Sequence, residues 1–151
     1  MVVYMKKKIM EVKNSADALS YLCIWLAYAG DNEFDSVERD QVLDSIQSWI
    51  KEHKMDLNDD GKINRQDTIT SYNNALRSIK EHNKAEMVEN IKKICLYLRI
   101  VLKEDKNRID SLLFSLAYII TISGNPSSDE KNNFELASQF LHGQLTTTDL
   151  I

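Results

Sequence analysis

Apolar residues recur along this chain at helical spacing, and the recurrence divides it into six stretches. The first runs from about Ser15 to Gly30, where Leu19, Leu22, Cys23 and Leu26 fall at i, i+3, i+4 and i+7. Gly30 is a natural stop, because glycine takes up a left-handed conformation without strain. A second helix is predicted from near Asp35, with Val42, Ile46, Trp49 and Ile50 inward. After a polar loop, a third runs from about Arg65 to His82, with Ile69, Tyr72, Leu76 and Ile79 on one side. The fourth, from Ala85 to about Glu104, is apolar through Val88, Ile91, Ile94, Cys95, Leu98 and Val101. The fifth, Ile109 to Ile122, is apolar on nearly every side and is expected to sit centrally. Gly124-Asn125-Pro126 stops it, and Ser128 to His142 forms a sixth through Phe134, Ala137, Phe140 and Leu141. The tail Gln144–Ile151 either adds one short turn or frays. The expectation is an all-α fold: one compact bundle of about six to seven helices, a single domain over residues 1–151 with its core at about 15–142.

Composition supports this. The chain has 151 residues, 43% hydrophobic and 28% charged, with four glycines and one proline, too few for a β-rich protein built on tight turns. A net charge of −4 argues against a dedicated nucleic-acid binder. Lys6–Lys8, the one basic run, reads as a solvated end and is followed by Ile9, Met10, Glu11 and Val12 in place of the apolar stretch of a secretory leader. The longest nearly apolar run, Leu112–Ile122, is shorter than the roughly 20 residues a bilayer demands, so no transmembrane segment is expected. Cys23 and Cys95 lie on apolar helical stretches and read as buried free thiols, which favours a reducing, cytoplasmic setting.

The sharpest local signal is Asp56-Leu57-Asn58-Asp59-Asp60-Gly61-Lys62-Ile63-Asn64-Arg65-Gln66-Asp67. An EF-hand loop places side-chain oxygens at positions 1, 3 and 5, glycine at 6, a backbone carbonyl at 7, a ligand or water at 9 and an acid at 12. Here those positions hold Asp56, Asn58, Asp60, Gly61, Lys62, Asn64 and Asp67. A hard cation takes several oxygen donors, and alternate residues aim them at one point; calcium is expected ahead of magnesium. Ile63, at position 8, is placed to anchor the loop to the core. Asp67 replaces the usual bidentate Glu, as in dockerin loops, and the loop is single. A second interpretation stays open: a polar inter-helix turn in which Asp67 or Asn64 caps the next helix.

A second pattern is repeated. The turn around Asp31 and the turn around Ser123 each follow an apolar helix and precede an acidic helix start. A single offset of 92 residues pairs Asp31 with Ser123, Glu38 with Glu130, Arg39 with Lys131 and Val42 with Phe134. Asp35 and Ser127 fit as N-caps with Glu38 and Glu130 at the third helical position, a capping box in each copy. Alternatively, Asp31 and Glu38, with Glu130 in the second copy, hold a divalent cation at a helix junction. The doubled pattern over about Ala18–Leu141 resembles the TerB-like (tellurite-resistance TerB) family, whose repeated signature is an apolar helix, an Ala-Asp-Gly turn and a Glu opening the next helix. Asp31, Glu38, Gly124 and Glu130 match that signature, while Asn32 and Ser123 depart from it. The resemblance implies an all-helical, cytoplasmic, bacterial domain linked to tellurite or chemical-stress resistance and to metal sensing, with no enzymatic reaction.

Other chemistries find no motif. His53, His82 and His142 are isolated from any Cys or His at metal-ligand spacing and read as surface or cap histidines. No phosphate-cradling glycine loop and no nucleophile signature is present. Trp25 and Trp49 stand at core spacing. The expected function is therefore a divalent-cation-binding helical module that acts through protein partners, and the alternative is a structural or interaction domain whose acidic loops are caps and turns. An enzyme is not expected.

Overall fold

The computed structural model describes residues 14–28, 36–55, 61–122 and 124–143. These form six helices and no strand: α1 (Ser15–Tyr28), α2 (Ser36–Glu52), α3 (Arg65–Lys80), α4 (Lys84–Val101), α5 (Lys106–Thr121) and α6 (Ser128–Leu141). The fold is all-α. The Asp31 turn, Asp35, Asp56–Asp60, Ser123 and the tail from Gln144 lie outside the described residues.

The bundle is organised around α1. Every side chain from Ser15 to Ala27 is buried, and the helix packs against α2, α3, α4, α5 and α6. The expectation that α5 is the central helix is therefore corrected. Phe114 and Tyr118 on α5 are 77% and 48% exposed. The reason lies in side-chain size. Ser15, Ala16, Ala18, Ser20 and Ala27 keep α1 slim, so neighbours approach it from all sides. On α5, Asn107, Arg108, Asp110, Ser111 and Ser115 must keep one flank wet.

α2 buries Val42, Ile46, Trp49 and Ile50, as its spacing predicts. α4 buries Ile91, Ile94, Cys95 and Leu98, with Val88 and Val101 half-buried. α6 buries Ala137, Phe140 and Leu141, with Phe134 packed partly against the core. On α3 the inward face differs from the predicted one. Asp67, Thr68, Ser71, Ala75 and Ile79 are buried, Tyr72 and Leu76 are half-buried, and Ile69 is 38% exposed. The helix is turned by about one residue, roughly 100°. Small side chains at Ser71 and Ala75 let α3 close onto α1, where polar partners wait.

Helix ends follow from local chemistry. Asn14 accepts from the Asp17 N–H at 2.8 Å and opens α1. Asn83 with Glu86 and Ser127 with Glu130 form reciprocal capping boxes on α4 and α6. Asp105 accepts from the N–H groups of Asn107 and Arg108 at 2.9 and 3.2 Å, so α5 starts three residues before the predicted Ile109. α2 and α4 both close in a Schellman motif without glycine. Met55 N–H donates to Ile50 O (3.0 Å) with Lys54 at φ 52, and Glu104 N–H donates to Arg99 O (2.8 Å) with Lys103 at φ 57.

Candidate functional site

The acidic loop joins α2 to α3, and its second half is described. Gly61 has φ +78, and a Cβ built there would meet nothing within 4 Å. Glycine is therefore favoured by backbone conformation, and space plays no part. Lys62 and Ile63 follow without regular structure. Ile63 is 39% exposed, which corrects the expectation that it anchors the loop to the core. Its neighbours explain why: Gly61 takes a left-handed turn and Asn64 caps α3, leaving Lys62 and Ile63 exposed between them.

Asn64 and Asp67, the ninth and twelfth loop positions, form a capping box on α3. Asn64 Oδ1 accepts from Gln66 N–H at 3.0 Å, and Asp67 Oδ2 accepts from Asn64 N–H at 2.8 Å. Asp67 is fully buried. Arg65 ties this turn to α2, reaching Gln47 and lying 3.4 Å from Asp44, an exposed contact worth at most about 1 kcal/mol. Upstream, α2 ends at Glu52 and the Schellman turn fills His53–Met55 before Asp56. Asp56, Asn58 and Asp60 lie outside the described residues, as does Asp31. Among the described residues no three His, Cys, Asp or Glu side chains converge as metal ligands. Glu38 is half-buried in the first turn of α2, and Glu130 Oε1 accepts from Ser127 N–H at 2.9 Å in the capping box of α6.

Beside this loop the α1–α3 seam is polar and dry. Ser71 Oγ donates to Asp17 Oδ1 at 2.8 Å, stands 3.0 Å from Ser20 Oγ, and Ser20 in turn donates to Ala16 O at 2.7 Å. All three side chains are buried, as is Thr68, whose Oγ1 has no hydrogen-bond partner among the described residues. Sequence reasoning missed this seam. The signal was there: Asp17 and Ser20 lie about one turn apart on a helix that is otherwise mostly apolar, and a buried carboxyl needs hydrogen-bond partners.

Three further contacts involve histidine. Tyr21 Oη lies 3.2 Å from His82 Nδ1 and accepts from Asn90 Nδ2 at 3.2 Å, joining α1 to the α3–α4 turn and to α4. Burial pushes the Tyr21 phenol up to about 12, against the Asn90 hydrogen bond and with the help of the Glu86 charge. His53 stacks on Trp49 with ring centroids 4.2 Å apart, and Trp49 Nε1 donates to Ser15 Oγ at 2.9 Å. His142, the C-cap of α6, lies 3.6 Å from Asp110. Both cysteines are buried and free, as expected. Burial raises both thiols, Cys23 to about 12, so neither is a thiolate nucleophile at neutral pH.

Between α2 and α5 runs a cleft of about 420 Å3 with Leu19 and Cys23 of α1 at its floor. Ser45 and Ser48 face it from α2, and Ser111 and Ser115 from α5. No helix of the described residues is long and apolar enough to cross a membrane. No family model matches the chain, and neither does any curated protein or solved structure.

Proposed function

We propose that this chain is a divalent-cation-binding helical module of the tellurite and chemical-stress resistance type, acting through protein contacts in a bacterial cytoplasm. The proposed site is the loop Asp56–Asp67, with Asp56, Asn58, Asp60, the Lys62 carbonyl, Asn64 and Asp67 as donors and calcium as the cation. Gly61 carries this proposal. It occupies the sixth loop position in a left-handed conformation, the sharp turn that lets alternating donors face one point. The buried Asp67 in the first turn of α3 adds a carboxylate at the twelfth position. Support for the family comes from the doubled helix pair: Ser36 opens α2 and Ser128 opens α6 at the same offset that relates Asp31 to Ser123.

Calorimetric titration of metal-free protein with calcium and with magnesium tests the site. Calcium is expected to give binding heat and to raise the melting temperature, by about 2.7 kcal/mol of native-state stability at a free concentration 100-fold above Kd. Neither heat nor stabilisation at millimolar metal would reject it.

A second interpretation, a structural or interaction domain, draws on the capping boxes. Asn64–Asp67 and Ser127–Glu130 already use three of the candidate metal donors, Asn64, Asp67 and Glu130, to satisfy helix N–H groups. It requires a melting temperature of the double variant Asp56→Ala, Asp60→Ala that equals wild type with and without calcium.

A further inference from the structure

We draw no further inference here: the strongest candidate, the cleft between α2 and α5 walled by Ser45, Ser48, Ser111 and Ser115, has an apolar floor already closed by packing of Leu19, Cys23 and Leu116, and nothing in the structure shows what covers it.

Discussion

Four residues test the local physics most directly. Lys54 and Lys103 hold left-handed backbone at φ 52 and 57, where an L side chain costs roughly 1–2 kcal/mol and glycine nothing comparable. Lys54→Gly and Lys103→Gly should each stabilise the protein by about 0.5–1 kcal/mol, less than the full strain because glycine loses more chain entropy on folding. Urea denaturation midpoints read this directly, and a lower midpoint in both variants would contradict it. Ser71 and Thr68 form an opposed pair on one helix face. Ser71→Ala strips the hydroxyl donor from the buried Asp17 carboxylate and should cost about 1–3 kcal/mol. Thr68→Val removes a buried hydroxyl without a partner among the described residues and should be neutral or slightly stabilising. Equal losses in the two variants would mean that the α1–α3 contact depends on side-chain shape and owes nothing to its hydrogen bonds.

At the scale of elements, capping determines where the helices begin. Asn83→Ala and Ser127→Ala should each cost about 1 kcal/mol, visible as lowered melting temperatures, with Glu86→Ala and Glu130→Ala lowering them in the same direction. Local rules of this kind are the part of the fold that sequence displays best. The Ser127–Glu130 box was legible because its two members are three residues apart. The alternative role of Asn64 and Asp67 was legible for the same reason. What stayed hidden is long-range. Ser71 and Asp17 are 54 residues apart, and no periodicity announces that they meet. That meeting turned α3 away from its most apolar face and left Ile69 outside. The rank of α1 over α5 was hidden too. Hydrophobicity all round marks both helices, but only the slimness of Ser15, Ala16, Ala18 and Ser20 admits five neighbours. Phe114 and Tyr118 fall on the same flank of α5 as Asn107 and Ser111, so they share its exposure. At the proposed cation loop, donor spacing was readable, while the displacement of Ile63 to the edge depended on the path set by Gly61 and Asn64.

For the whole molecule, buried groups with raised pKa values set an alkaline limit. Tyr21 and Cys23 are each pushed to about 12, from ordinary values of 10.0 and 9.0, because burial disfavours their charged forms. The neutral forms belong to the native state. Their contribution is complete below the ordinary values and is lost as pH rises through the native ones. Stability should therefore decline from about pH 9 upward, steepening above pH 10 as the unfolded tyrosine ionises. Melting temperatures at stepped pH from 8 to 11 would show this, and Tyr21→Phe should flatten the decline above pH 10. An undiminished slope in that variant would assign the effect elsewhere. Thiol reagents should leave both cysteines unmodified until the bundle opens, since neither has surface.

The junction of Trp49, Ser15 and His53 gives the protein an optical handle. The chain has two tryptophans, and both are buried, so native emission should be blue-shifted. Trp49 is the one in the last turn of α2: its indole is bonded to Ser15 and lies against the His53 ring. A rearrangement at that corner would change how strongly the imidazole quenches Trp49 while Trp25, embedded in α1, stays dark to it. Unlabelled fluorescence, with Trp25→Phe as the clean background, would then follow the corner of the molecule where a cation is proposed to act.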